Sequence, residues 1–331
     1  MLALPSQLYR IASTSIKAAL LLMKLGNAFV PQTIYGLLGV KTANVKMAAT
    51  FEAASKKPLL YGSAPVLAAL SSQRRRMFKL FAEGDSTHAA AAVSLARAAK
   101  LPVHYTLPKT LSGASTHNGL ALEVSPIQLT SLRALGPFDT LESCYDAFSG
   151  GKDEISFEFT QRPESPAFPL WLALDSIRDP MNLGAILRSA SFFGLDGIVT
   201  TTTNTAPLSP VVSKASAGVL ESFETLYSTK NLPSFLSASK EAGWTVFGTD
   251  IGAPASKVLN CWDMPSINTP VIVVMGSEGE GLRKIVSNQC NAHLLIPGGD
   301  SRKLEGKGSL DSLNVSVAAG ILLSHLSRKH K

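Results

Sequence analysis

Short apolar runs alternate with segments of helical periodicity over the second half of the chain. From Phe168 onward five runs rich in aliphatic and β-branched residues follow one another, and candidate helices separate most of them: PLWLALDSI, DGIVTTT, WTVFGTD, VIVVMGSE and AHLLIPGG. Runs that are apolar throughout are typical of strands buried on both faces of a parallel sheet. The pattern therefore predicts an α/β domain with a mainly parallel sheet over residues 168–331.

The last helix of this domain has an unusually polar start. In DSLNVSVAAGILLSHL, apolar residues recur from Val315 at steps of three and four, which predicts a buried helix. Ser312, Asn314 and Ser316 crowd its first turn. One such residue is enough to cap a helix. Taken alone, the turn is either a capped helix start, which the pattern favours, or a polar site that holds ligand atoms against free N–H groups.

A smaller α/β unit precedes this domain, over residues 58–130. Its pattern predicts a short helix that begins at Pro65, a second helix, and three strands: MFKLF, PVHYTL and a run near LALEV. Residues 131–167 contain several glycines and prolines with little periodicity. They predict a linker or an irregular connection.

The N-terminal segment is basic and rich in Ser, Thr and Ala. Residues 1–57 contain seven Lys and Arg against one acid, Glu52, and Lys17 and Lys24 interrupt the apolar run. A membrane helix needs about 20 apolar residues, so the segment resembles a mitochondrial transit peptide and leader. A secretory signal is the alternative, because AALLLM is apolar.

Composition narrows the partner and the chemistry. The chain has 331 residues, 45% of them hydrophobic, and a net charge of +7, which favours a polyanion such as nucleic acid. Cys144, Cys261 and Cys290 are odd in number and lack CxxC spacing. The sequence therefore predicts neither a disulfide framework nor a metal site.

Three predicted strand ends carry unusual loops, and chemistry in such domains gathers there. After the first strand come Arg178-Asp179-Pro180 and a helix that contains Asn182 and Arg188; MGSEGEGL follows a second strand, and LLIPGGD leads to SLNVS. MGSEGEGL lacks the GxxxxGK[ST] pattern, and its carboxylates would repel a triphosphate. A neutral or cationic ligand fits this loop better.

In order along the chain, NLGAILR, MGSEGEGL and LLIP followed by SLNVSVA resemble the SpoU branch of the knotted (SPOUT) methyltransferases, over about residues 168–328. The resemblance implies a deep trefoil knot and methyl transfer from S-adenosylmethionine to a ribose 2′-hydroxyl of RNA. The small unit is similar to the ribosomal-protein-like substrate-binding domain of such enzymes. Gly62–Leu70, the arginines before MFKLF and His117-Asn118-Gly119 carry that match, although Asn118 stands where the family more often has Gln.

The resemblance implies two sets of site residues. The cofactor would be held largely by backbone atoms of Gly248, Thr249, Gly276, Ile296 and Leu313. The catalytic set would be Asn182, Arg188, Glu278, Ser312 and Asn314. Arg188 is the family's candidate for deprotonating the hydroxyl, but a guanidinium does not ordinarily accept a proton. We therefore interpret Arg188 as a phosphate grip, with a phosphate or a water taking the proton, and Glu278 as mainly structural.

Further basic residues have two interpretations. Arg74, Arg75, Arg76 and Lys79 supply either RNA phosphate contacts or an ordinary solvated face. The glycine-rich stretch GGDSRKLEGKGSLD, which includes the insertion at 298–311, is longer than the compact loop of bacterial relatives. It either touches RNA or is simply flexible.

The overall likeness implies a particular RNA substrate. It points to mitochondrial large-subunit rRNA methyltransferases, which modify a guanosine of the peptidyl-transferase region, act in the matrix as homodimers and need no membrane. Two alternatives stay open. One is a tRNA 2′-O-methyltransferase, and the other is a non-catalytic RNA-binding factor of ribosome assembly.

Overall fold

The structure, a computed structural model, describes residues 57–111, 117–150, 155–161, 168–249, 257–264, 268–277, 279–298 and 312–329. Three sequence predictions concern residues outside these ranges. They are the transit peptide and leader, of which only Lys57 is described, the role of Glu278, and the role of the insertion at 298–311, of which only Gly298 is described.

The small unit is a four-stranded sheet with two helices. Its elements are β1 (Leu59–Tyr61), α1 (Ser63–Ser72), β2 (Met77–Ala82), α2 (Thr87–Ala98), β3 (Val103–His104) and β4 (Leu120–Val124). The strand order is β1-β4-β2-β3, and only β2 and β3 pair in parallel. Helix α1 begins two residues before Pro65, because Gly62 at φ 93° turns the chain directly out of β1.

Residues 131–161 contain a three-stranded antiparallel sheet. It comprises β5 (Leu132–Leu135), β6 (Cys144–Gly150) and β7 (Ile155–Gln161). The irregular connection predicted over 131–167 is therefore wrong for the described part of that segment. Gly136 and Pro137 follow β5, and Gly150 ends β6, so the residues that suggested irregularity flank strands rather than interrupt them.

The C-terminal part contains the predicted parallel sheet. Its elements are β8 (Leu170–Leu174), α3 (Pro180–Phe192), β9 (Gly197–Thr201), α4 (Pro210–Ala215), α5 (Val219–Ser222), β10 (Leu226–Thr229), α6 (Leu232–Glu241), β11 (Thr245–Gly248), β12 (Val258–Asn260), β13 (Val271–Met275), α7 (Lys284–Ser287), β14 (Ala292–Leu295) and α8 (Val315–Lys329). The strand order is β10-β9-β8-β13-β11-β14-β12, and every neighbouring pair is parallel.

Both faces of this sheet are buried, as its continuous apolar strands require. On β8, Leu170, Leu172 and Leu174 face the core formed with α3 and α8. Trp171 and Ala173 point to the opposite core, with α6, β5 and β6. This layered arrangement confirms the predicted α/β class. The trefoil knot stays a prediction, because residues 299–311, which connect β14 to α8, lie outside the described ranges.

A buried ion pair joins the small unit to the large one. The Arg75 guanidinium donates to both carboxylate oxygens of Glu221, through Nε at 2.8 Å and through Nη2, and Ser213 Oγ donates to the same carboxylate at 2.7 Å. Arg75 is 7% exposed and Glu221 is fully buried. Its neighbour Arg74 donates to the carbonyls of Leu220 and Phe223, and burial lowers the pKa of the Arg74 guanidinium.

Two of the four predicted RNA contacts are thus used inside the protein. Arg75 is bound to Glu221, and Arg74 is half-buried against the end of α5. Arg76 is exposed and Lys79 is half-exposed. The prediction of phosphate binding is therefore wrong for Arg75, is not supported for Arg74, and stays a prediction for Arg76 and Lys79.

Removing the carboxylate charge at Glu221 is expected to destabilise the fold. Glu221→Gln leaves the Arg75 cation buried without a counter-charge, so we expect the free energy of unfolding to fall by about 3 kcal/mol. Chemical denaturation measures this. Arg76→Ala, an exposed neighbour, is the control and should change stability by less than about 0.5 kcal/mol. Equal, small losses in both variants would contradict the importance of the pair.

Candidate active site

Four neighbouring strands end at one edge of the large sheet. Strands β8, β13, β11 and β14 are consecutive in the sheet and parallel, so their carboxyl ends share that edge. Adjacent strands are about 4.8 Å apart, which places the four ends within about 15 Å. Gly248 is the last residue of β11, and Thr249 follows it. Gly276 follows β13, and Ile296 follows β14. The structure therefore brings these predicted cofactor residues together.

The glycines at this edge are required by the packing of the protein itself. A Cβ on Gly276 would lie 2.3 Å from the carbonyl carbon of Gly281, and one on Gly248 would lie 2.7 Å from Nδ1 of His293. By contrast, a Cβ on Gly279 would meet nothing within 4 Å. Gly276 and Gly248 therefore allow close folding of the loops, whereas the space at Gly279 is open to a ligand.

An ion pair that the sequence analysis did not single out anchors the loop after β13. Asp175, fully buried directly after β8, accepts hydrogen bonds from the backbone N–H of Arg283 at 3.1 Å and from its Nε at 2.8 Å. Nη2 of Arg283 lies 2.7 Å from the same carboxylate. The signal in the sequence was an acid immediately after the apolar run LWLAL. This pair fixes the glycine loop to the neighbouring strand end.

The polar start of α8 is joined to α3. Asn314 Oδ1 accepts from the backbone N–H of Ser316 at 2.9 Å and of Val317 at 3.3 Å, so Asn314 caps the helix. Its Nδ2 donates to Oδ1 of Asn182 at 3.1 Å. Capping and a role in the site are thus combined in one residue. Asn182, 7% exposed, lies in the first turn of α3, which Asp179 caps.

A cavity of about 270 Å³ opens at this junction. The end of β8, the first turn of α3, the loop after β13 and the first residue of α8 form its walls, and polar groups on them include Arg178, Asp179, Asn182 and Glu280. Its walls combine a cation, two carboxylates and an amide. Such a cavity can orient a polar ligand at the carboxyl edge of the sheet.

Arg188 lies outside this cavity. Six residues beyond Asn182 on α3, it is exposed and lines a separate groove of about 670 Å³ between α3 and α8, together with Phe192, Trp262 and His325. Within one chain, the structure does not bring Arg188 and Asn182 into the same cavity. Ser312 and Leu313 are exposed just before α8, and neither lines the cavity of Asn182.

Comparison with known protein families gives two matches in chain order. Residues 59–130 match the model described as RNA 2′-O ribose methyltransferase substrate binding. Residues 169–324 match the SpoU rRNA Methylase family. The first range includes the small sheet, and the second includes all the strand-end loops described above.

Curated relatives include proteins named rRNA methyltransferase 1, mitochondrial. The human protein is 35% identical over 291 residues, which cover 84% of this chain and 74% of the relative. The Schizosaccharomyces pombe protein is 34% identical over 280 residues, covering 81% and 88%. The Dictyostelium discoideum protein is 36% identical over 232 residues, or 69% of this chain, and the match spans only 42% of the relative's length.

Solved structures share the fold. The AdoMet-bound rRNA methyltransferase from Sinorhizobium meliloti aligns with a TM-score of 0.59 at 20% identity, covering 82% of this chain and 86% of that one. The SpoU methyltransferase AviRb from Streptomyces viridochromogenes aligns with a TM-score of 0.57 at 20% identity, covering 82% and 89%. Together with the relatives and the two matched models, these observations confirm the resemblance: the chain belongs to the SpoU rRNA methylase family.

Proposed function

We propose that this protein transfers a methyl group from S-adenosylmethionine to a ribose 2′-hydroxyl of mitochondrial large-subunit rRNA. The observation that carries the proposal is the junction of Asn182 with Asn314 beside four aligned strand ends. The names of the human and fungal relatives support a mitochondrial rRNA substrate. A guanosine of the peptidyl-transferase region is the proposed target, and the matrix is the proposed site of action.

The residues at the sheet edge fit this cofactor. Ile296 and the 43%-exposed Leu313 offer apolar surface, and the chain at Gly248, Thr249 and Gly276 offers backbone polar groups. The carboxylates of Asp179 and Glu280 suit the positive charge of a sulfonium. When bound, the cofactor supplies the electrophilic methyl group. Among the described residues, no cluster of three or more His, Cys, Asp or Glu is placed to hold a metal.

The protein's own groups position the acceptor. Asn182 and Asn314, held together at 3.1 Å, would position the ribose beside the cavity that Asn182 lines. Ser312, exposed before α8, would lie beside them. Arg188 lies six residues, or about 9 Å of axial rise, further along α3 and on a different face of the helix, so it would contact a phosphate of the RNA that extends from the ribose into its groove. Arg188 would grip that phosphate, and a phosphate oxygen or a water would take the hydroxyl proton.

A homodimer is part of this proposal. The groove around Arg188 exposes 82% of Phe192 and 47% of Trp262, unusually high fractions for aromatic side chains. A second copy of the chain packed on α3 and α8 would bury these rings. Arg188 and the RNA phosphate bound to it would then lie between the two copies. As for a membrane, no helix in the described part of the chain is long and apolar enough to cross one.

The packing at Gly276 predicts a selective loss of cofactor binding. Gly276→Ala forces a Cβ to within 2.3 Å of Gly281 and displaces the loop after β13, so we expect at least a tenfold weaker Kd for S-adenosylmethionine by calorimetry. Gly320→Ala in α8 is the control, because its Cβ would meet nothing closer than Ser189 Oγ at 3.9 Å and Gly320 does not line the Asn182 cavity, so its Kd should stay within about threefold. A folded Gly276→Ala protein with the wild-type Kd would refute this role of the loop.

Removing the guanidinium of Arg188 should slow methyl transfer without affecting the cofactor. For Arg188→Ala we expect a single-turnover rate at least about 100-fold lower on a mitochondrial large-subunit rRNA transcript, with an unchanged Kd for S-adenosylmethionine. Lys284→Ala, which removes an exposed cation on α7, should keep the wild-type rate. A normal rate for Arg188→Ala would remove the phosphate grip from the mechanism.

The product of the wild-type reaction tests the proposed activity. Mass spectrometry of the methylated transcript should locate the new methyl group on a ribose 2′-oxygen. Methylation of a base would contradict the proposal. Methylation confined to tRNA would contradict it in favour of the tRNA enzyme, and RNA binding with no methyl transfer would do so in favour of the non-catalytic assembly factor.

A further inference from the structure

A groove of about 590 Å³ lies between β5 and the start of α6, away from the cavity of Asn182. We name it the β5–α6 groove; its polar and aromatic lining includes Ser131, Arg133, Phe148, Lys230, Asn231 and Ser234. Strand β5 is fixed to its surroundings, because Ser228 N–H donates to the Thr130 carbonyl at 2.9 Å and Leu135 N–H donates to Ser239 Oγ at 3.0 Å. The groove is therefore a defined feature of the fold.

Among the residues that the structure describes, the charged side chains lining this groove are positive. Arg133 and Lys230 are exposed, and neither forms a hydrogen bond or ion pair with any residue that the structure describes. No carboxylate is among its described lining residues. Arg75 and Arg283, by contrast, each bind a buried carboxylate. Two exposed cations with no carboxylate among the described lining residues are typical of a surface that binds phosphates.

The other groups of the groove suit a nucleic acid strand. Helix α6 has ten residues, and its N-terminus adds the positive end of the helix dipole to the two side-chain cations. Ser131, Asn231 and Ser234 supply hydroxyl and amide groups for sugar and phosphate oxygens. The half-buried ring of Phe148 adds apolar surface to the groove beside these polar groups.

The position of the groove relates it to the candidate active site. Lys230 and Asn231 follow the carboxyl end of β10, and β10 is separated from β8 by β9 alone. Two strand spacings correspond to about 10 Å between the ends of β10 and β8, so the groove, on the α6 side of the sheet, and the Asn182 cavity, on the α3 side, both lie near its carboxyl edge. One RNA strand can therefore contact both.

We propose that the β5–α6 groove binds the sugar–phosphate backbone of the substrate RNA to one side of the nucleotide that is methylated. The proposal rests on the RNA methyltransferase function above and extends it. It also gives the β5–β7 sheet a role: this sheet carries Arg133 and Phe148 and thereby adds a second RNA-contacting surface to the catalytic domain.

Salt-dependent RNA binding tests this proposal. We would measure the Kd of full-length protein for the rRNA transcript at several salt concentrations, for wild type and for the double variants Arg133→Gln/Lys230→Gln and Arg133→Glu/Lys230→Glu. Loss of two phosphate contacts should weaken binding at least tenfold and reduce the slope of log K against log salt by about 1.4 to 1.8. The Kd for S-adenosylmethionine should stay unchanged, which shows that the variants are folded.

Lys257→Gln/Lys284→Gln is the matched control. Both lysines are exposed; Lys257 directly precedes β12, and Lys284 is the first residue of α7. Removing the same charge there should change the slope by much less. Equal slopes for the groove variant and this control would overturn the proposal. Wild-type RNA binding by the groove variants, together with loss of their binding to an acidic protein, would also overturn the proposal, because the groove would then bind protein and not RNA. Because wild-type methylation is scored separately, a failure of the proposed activity is distinguishable from a failure of the groove.

Discussion

Parallel pairing of β8, β13, β11 and β14 is the constraint on which the rest of the structure depends. The strands are apolar on both faces, so each side of the sheet must be covered by helices, and the only polar surface left to them is at their ends. Since the strands run in the same direction, all four carboxyl ends face one edge. Residues far apart in sequence, from Asp175 to Ile296, therefore become neighbours in space.

Two polar contacts turn that shared edge into a defined site. The Asp175–Arg283 pair attaches the glycine loop to the end of β8, and the Asn182–Asn314 hydrogen bond attaches the C-terminal helix to α3. Asp175 and Asn182 are largely buried, so losing either partner would leave a polar group without compensation. The groove around Arg188 lies on the other side of α3. In the proposed homodimer, the second subunit would cover this groove.

The sequence was most informative where a local pattern has a single structural solution. Continuous apolar runs predicted the parallel sheet, and three motifs in order predicted the family. Long-range pairing was harder: Arg75 reads as part of a solvated basic run, because its partner Glu221 is 146 residues away. The β5–β7 sheet was missed because turn residues flank short strands, and the position of Arg188 outside the Asn182 cavity follows from helix geometry that motif order does not encode.

Hydrogen–deuterium exchange with and without S-adenosylmethionine tests the central claim most directly. If the strand ends form one cofactor cradle, backbone amides near Thr249, Gly276, Ile296 and Leu313 should all gain protection at the same cofactor concentration, while those in β5 and β6 stay unchanged. Protection at only one of these four positions, or protection elsewhere in the chain, would contradict a single shared cradle.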